Sequence, residues 1–204
     1  MKLWDKNNSG NEKIIEFTIG HDRLNDMHLI KYDLKASISH AKMLYKSNLL
    51  SEIECDRIIN ILNEMLIEAE SGELKIEKEF EDMHSKIEYT LISRLGDIGK
   101  KIHTARSRND QVLVSIQLYL IDELNNIKTE VKSLFDLLIK LANKNKDIIM
   151  PGYTHMKAAM PSSFGLWFSA YAETLIDDIM SLNSSIEIVN QNTLGSAAGY
   201  GTSF

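Results

Sequence analysis

From Leu113 onward the apolar positions Ile116, Leu120, Leu124, Ile127, Val131, Leu134, Leu138 and Leu141 advance by three or four residues each time. Nearly thirty residues keep one apolar seam, with no glycine or proline to interrupt it. That period is the helical one, and it predicts a rod of roughly 45 Å at 1.5 Å per residue. A compact small domain has no use for so long a helix, whereas a helical bundle or a coiled-coil-like assembly does. The pattern returns in Phe164, Trp167, Tyr171, Leu175, Ile179, Leu182, Ile186 and Val189. Two rods joined by a short connection form a hairpin whose wide apolar seams call for further helices or partner subunits.

The rest of the chain reads the same way. Residues 1–20 are polar and are expected to be irregular. A helix is predicted from about Leu24 to Tyr45 on the spacing of Leu29, Ile30, Leu34, Ile38, Ala41 and Leu44. Ser51 with Glu54 three residues on is a capping-box pattern, opening a helix that stops near Gly72. A further helix is expected from about Phe80 to Leu95, halted by Gly96. No strand-like alternation stands out, and the fold class expected is all-α: a small N-terminal helical domain over 1–106, then the first long helices of a central bundle domain over 107–204. The closing run LGSAAGYGTSF carries small residues and no helical period.

Composition narrows the function classes. A net charge of -6 argues against a nucleic-acid partner, though a few arginines can still set the potential inside a cleft. Cys55 is the single cysteine, so no internal disulfide or thiolate cluster is available, and its apolar-periodic setting suits a small buried side chain. No apolar run approaches a membrane span, and the first residues lack a signal-peptide core, so a cytoplasmic location and no membrane partner are expected.

Three stretches carry polar chemistry. HTARSRNDQ, residues 103–111, stands at the start of the long rod. The first turn of a helix offers free N–H groups and the positive end of its dipole, and Arg106 and Arg108 add guanidinium forks to it. Ser107 and Asn109 add neutral donors. The stretch is therefore either an anion receptor or an Arg–Asp surface network that caps the helix, and these residues alone leave both open. MPGYTHMKAAMP, residues 150–161, holds both prolines of the chain, which restrict the connection between the rods. His155 beside Thr154 is a candidate general acid or base there, or else a structural histidine. EFEDMHSKIEYTL, residues 79–91, places Asp82 and His84 near a helix start. A second cluster at ligand spacing is missing, so His84 suits a polar or substrate contact better than a metal. His28 and His40 read as structural or solvated. Walker-type, dinucleotide and nucleophile-elbow motifs do not occur.

Taken together, KIHTARSRNDQV and, about forty residues later, MPGYTHMKAAMP make this sequence similar to the argininosuccinate lyase family of the fumarase/aspartase superfamily. FTIGHD, YDLKASISHAKML, EDMH and LGSAAGYG extend the resemblance over nearly all 204 residues. It implies β-elimination of argininosuccinate to arginine and fumarate without metal or organic cofactor, in a homotetramer whose active sites are shared between subunits. It also implies roles. Ser107, Arg108 and Asn109 match substrate-contacting positions, with Arg106 supporting the loop. Thr154 matches a substrate-binding threonine, His155 the acid/base histidine and His84 a histidine lining the cleft. Thr18 falls where the family commonly has a substrate-binding serine.

The sequence also departs from the pattern. Ala105 replaces a usual glycine, Lys157, Ala158 and Met160 replace Gln, Arg and Gln, and LWDKN lacks the usual LWGGRF. The family's third signature, with its catalytic serine loop, does not occur within residues 1–204, so this stretch is expected to be inactive alone. The alternatives are another lyase of the superfamily or a crystallin-like helical relative without the chemistry.

Overall fold

The computed structural model describes residues 12–203. The polar opening over 1–11, including LWDKN, lies outside them. Among the described residues the regular secondary structure is helical apart from one small hairpin, as the seams require. Its residues form two compact units, one within Met1–Tyr119 together with Asn192–Phe204, the other Leu120–Gln191.

The first unit holds α1 (Glu12–Ile19), α2 (Asp22–Lys46), α3 (Glu52–Ser71), α4 (Met83–Leu95), the single turn α5 (Asp97–Lys100) and a 3-10 turn at Lys101–His103. α1 corrects the expectation of irregular chain up to residue 20. It stops at Gly20, whose φ of 52° takes the left-handed backbone that glycine tolerates. The capping box at α3 is present: the Glu54 backbone N–H donates to Ser51 Oγ, and the Ser51 N–H donates to the Glu54 carboxylate. Gly72 closes the same helix in the left-handed conformation. α4 begins at Met83 rather than near Phe80, because Asp82 caps it by accepting from the Ser85 N–H at 2.7 Å.

These helices share one core. Ile30, Leu34, Ala41 and Leu44 of α2 pack with Ile58, Leu62 and Met65 of α3 and with Met83, Ile87 and Leu91 of α4. Cys55 is buried there, and its thiol donates to the Ala41 carbonyl. Gly99 lets α5 fold tightly against α4, since a Cβ would sit 2.4 Å from the Leu91 carbonyl oxygen.

The long rod, α6, spans Arg108–Lys144, 37 residues. Its residues up to Tyr119 belong to the first unit, and the remainder opens the second. After α6 the chain forms β1 (Ile149–Thr154) and β2 (Lys157–Ser163), an antiparallel ribbon, and then α7 (Phe164–Val189). The ribbon corrects the expectation of a plain loop. Pro151 and Pro161 lie opposite each other, and a two-strand ribbon tolerates their missing N–H groups because neither strand is central. A shift in register follows at Gly152, where a Cβ would meet the Met160 carbonyl oxygen at 2.7 Å. Gly165 serves similarly at the start of α7, with the Lys146 backbone 2.6 Å from where its Cβ would be.

Candidate active site

The turn into α6 is built by reciprocal capping. Ser107 Oγ accepts from the Asn109 N–H, and Asp110 Oδ1 accepts from the Ser107 N–H at 3.0 Å. The second Asp110 oxygen accepts from the N–H groups of Ala197 at 2.7 Å and Gly195 at 3.3 Å. One buried carboxylate therefore satisfies three main-chain donors and holds the returning segment 192–203 against the first turn of α6. Thr193 adds a side-chain bond to Gln117. The small residues of LGSAAGYG make this docking possible: Gly195 and Ala197 both take positive φ.

Ahead of this turn, Ala105 has a φ of 56°. Its backbone adopts the conformation for which glycine is the usual residue, which accounts physically for the glycine at this position in the resembling motif. His40, buried on α2, fixes the neighbouring peptide by donating from Nε2 to the Thr104 carbonyl at 2.9 Å. Burial and the nearby Arg106 guanidinium depress His40 to a pKa of about 4, so it is neutral at pH 7. Buried against the Thr104 carbonyl, it reads as a structural histidine rather than a solvated one.

The two arginines part company. Arg106 is buried, and its Nη1 donates to Ser37 Oγ at 2.9 Å. Its Nε and Nη2, the two-donor edge, have no hydrogen-bond partner among the described residues. Burial pulls it below the ordinary arginine value, while Asp33, Glu88 and Asp110 pull the other way. Arg108 reaches outward to α4, pairing with Asp82 and donating to Ser85 Oγ at 3.2 Å. Asn109 is exposed. Arg106, Ser107, Arg108 and Asn109 line one cavity of about 790 Å³ with Glu88 and His103, and His103 Nδ1 pairs with Glu88 at 2.9 Å. Four basic side chains (Lys100, His103, Arg106 and Arg108) around one carboxylate, beside a helix N-terminus, form a recess suited to an anion.

His84 sits at the first turn of α4, almost wholly buried. Its Nδ1 lies 3.0 Å from Asp33 Oδ2. Burial alone would lower its pKa, but the Asp33 charge and hydrogen bond, with Asp82 adding, raise it above the usual histidine value. Asp33 in turn accepts from Gln111 Nε2 through both oxygens, at 2.8 and 3.0 Å. Burial acts to raise the Asp33 carboxyl, yet His84, Arg106 and Gln111 together hold it below the ordinary value.

Thr18 lies exposed near the end of α1. Thr154 and His155 belong to the second unit, at the tip of the ribbon, where Thr154 pairs with Lys157. His155 and Met156 form the two-residue turn, with φ of 48° and 63°, the mirror-image geometry that suits a two-residue hairpin. Both Thr154 and His155 are exposed.

Sequence reasoning overlooked Asp33, Gln111 and Glu88, and gave Asp110 only a general role. A signal for Asp33 existed: Asp33, Ser37 and His40 fall at i, i+4 and i+7 of α2, a polar stripe beside the core residues Ile30, Leu34 and Ala41. A polar stripe facing a core must find partners, and here they are His84, Gln111, Arg106 and the Thr104 carbonyl.

Comparison with known proteins agrees with this architecture. Residues 16–204 match the family described as Lyase, and the chain belongs to that family. Over 203 residues it is 51% identical to the argininosuccinate lyase of Phocaeicola vulgatus, covering 100% of this chain and 46% of that protein. The chain thus spans about half the length of the curated relative it matches. A solved EDDS lyase variant with bound fumarate superposes with a TM-score of 0.74 at 25% identity, over 86% of this chain and 34% of the other. The fumarate lyase:delta crystallin of Brucella melitensis shares the fold, with a TM-score of 0.73 at 18% identity, over 89% of this chain and 45% of the other. The fold is that of the fumarase/aspartase superfamily.

Proposed function

We propose that this chain carries part of an argininosuccinate lyase, and that the protein it belongs to cleaves argininosuccinate to arginine and fumarate. The observation that carries this reading is the 51% identity to a curated argininosuccinate lyase across 203 residues. The N-terminal turn of α6, with its basic recess, supports it.

The chemistry fits these groups. A base removes a proton from the carbon next to a substrate carboxylate, and the electron pair moves onto that carboxylate as an aci-form. The C–N bond then breaks, the pair re-forms as the double bond of fumarate, and the departing guanidino nitrogen takes a proton. Fixed donors aimed at the carboxylate lower the barrier because they need no reorganisation as its charge grows. Ser107 and Asn109 provide such donors at the helix start, Arg108 and Arg106 set the positive potential, and Thr18 and His84 add substrate contacts. Thr154 and His155 supply a hydroxyl and an acid/base group on a tight turn. A homotetramer in which different subunits complete each site agrees with the exposed apolar seams of α6 and α7. A cytoplasmic location follows from the same reading; no described helix is long and apolar enough to cross a membrane.

A chimera tests this. Residues 1–203 replace the matching segment of the Phocaeicola vulgatus enzyme, and fumarate release from argininosuccinate is followed by absorbance. Turnover is expected, and Asn109→Ala should raise KM while His155→Asn should mainly lower kcat. A correctly assembled chimera without turnover of argininosuccinate would overturn the reading; turnover of a different succinyl adduct would place the chain with another lyase of the superfamily. The 204-residue chain alone is expected to release no fumarate.

A further inference from the structure

The carboxylate of Asp33 is fully buried, reaches no solvent, and is held at three points: by His84 Nδ1 and, through both of its oxygens, by Gln111 Nε2. Gln111 sits one turn into α6, two residues after Asn109, and is itself fully buried. The grip therefore ties α2, α4 and the start of α6 together directly behind the turn that lines the basic recess. A carboxylate only accepts hydrogen bonds when ionised, so the ring nitrogen that meets it must carry the proton. The two imidazole nitrogens point to opposite sides of the ring, so with Nδ1 committed inward, Nε2 is the atom left for a ligand.

We propose that Asp33 is a positioning residue of the candidate site, holding His84 with Nδ1–H turned into the core so that an imidazolium Nε2–H faces the ligand as a carboxylate donor. The buried charges favour this form. Among the described residues Asp33, Glu88 and Asp110 are three buried carboxylates, against the one permanent buried cation Arg106. A proton on His84 narrows that imbalance. The other charged groups around the ring act unequally: Asp82 favours the cation and Arg108 opposes it, while Asp26, on the same side of α2, accepts from the Met83 N–H next to His84. Gln111 completes the device, since its two donated bonds to Asp33 stop the carboxylate from rotating away. His84 thereby becomes a fixed positive donor. The assignment of the ligand side rests on the lyase reading; the Asp33–His84 geometry does not.

Long-range proton–nitrogen NMR of the 15N-labelled 204-residue chain, with His84 assigned by its loss in His84→Gln, tests both parts. Below about pH 6 the His84 ring is expected to show protons on both nitrogens, and on titration to alkaline pH it should keep the Nδ1 proton and lose that on Nε2. Asp33→Asn should reverse the neutral tautomer, since the amide can donate to Nδ1, and should weaken proton affinity at least tenfold. A bare Nδ1 in the unsubstituted chain would overturn the inference, and so would an unchanged tautomer in Asp33→Asn. The unsubstituted spectrum decides the tautomer even where Asp33→Asn fails to fold. Succinate, added as a dicarboxylate probe, should then shift Nε2 and leave Nδ1 in place. If the tautomer holds while succinate leaves Nε2 unmoved, Asp33 keeps its positioning role and the substrate-facing assignment of His84 is overturned.

Discussion

The two units of this chain bury their apolar residues to very different degrees. In the first, Leu34, Leu44, Ile58, Leu62, Met83, Ile87 and Leu91 are all at or near zero exposure, and the buried Asp33, His84 and Asp110 among them meet partners. In the second, α6 and α7 carry equally regular seams, yet Leu134, Trp167 and Tyr171 on those seams, and Leu137 and Ile176 beside them, are 45–54% exposed. The periodicity is of the same quality in both. The difference teaches that a helical period specifies which face is apolar but not what covers it. Three helices crossing one another close a core, whereas two antiparallel rods leave their outer faces to further helices.

The largest expected effect separates the units by substitution. Leu34→Ala should cost about 2–5 kcal/mol of unfolding free energy, as for other fully buried leucines. Leu137→Ala, at a half-exposed position, should cost less than about 1 kcal/mol. Urea melts would read both, and equal costs at the two sites would break the comparison.

Acid should also distinguish them. His40 has a folded pKa of about 4, below the ordinary histidine value of about 6.5. The unfolded chain therefore binds the proton first, and stability present above about pH 6.5 is lost as pH falls through the folded pKa near 4. The loss is at most roughly 3 kcal/mol, since each tenfold change in proton affinity is worth about 1.4 kcal/mol. His84 acts in the opposite sense, because its pKa is raised: its contribution is complete below the unfolded value and disappears as pH rises through the folded one. The first unit should thus be most stable near neutral pH. His40→Gln, whose amide can still donate to the Thr104 carbonyl, should flatten the acid limb of a urea-melt series; an unchanged slope would show that His40 does not control it.

The smallest effect concerns backbone strain, which both units contain. Ala105 and Met156 each hold a positive φ, and Met156 is 97% exposed. Ala105→Gly and Met156→Gly should each stabilise by about 1 kcal/mol or less, the cost of a left-handed residue bearing a Cβ less the extra chain entropy of glycine. Thermal melting would register a small rise in Tm for each. A fall at 105 would indicate that the Ala105 methyl packs into the site wall.

Much of this protein was legible before any coordinates. The helical periods, the Ser51–Glu54 capping box, the Gly72 stop and the helix start within RSRND are local facts, set by residues at most a few positions apart. The all-α class and the lyase family followed from them and from the two long motifs. The ribbon at 149–163 was hidden because its prolines, which ordinarily argue against a strand, sit opposite one another where no third strand would need their donors.

Only the tertiary structure decided which polar residues work together. Nothing in the spacing of Asp33, His84 and Gln111, separated by 51 and 27 positions, predicts that one buried carboxylate joins them. Likewise, HTARSRNDQ does not reveal that Arg106 turns into the core, that Arg108 leans on Asp82, or that Asp110 clasps the returning segment at 195–197. Periodicity is a property of neighbours along the chain, so the sequence carries it openly. Hydrogen-bond partnership is a property of neighbours in space, and it exists only once the helices have packed.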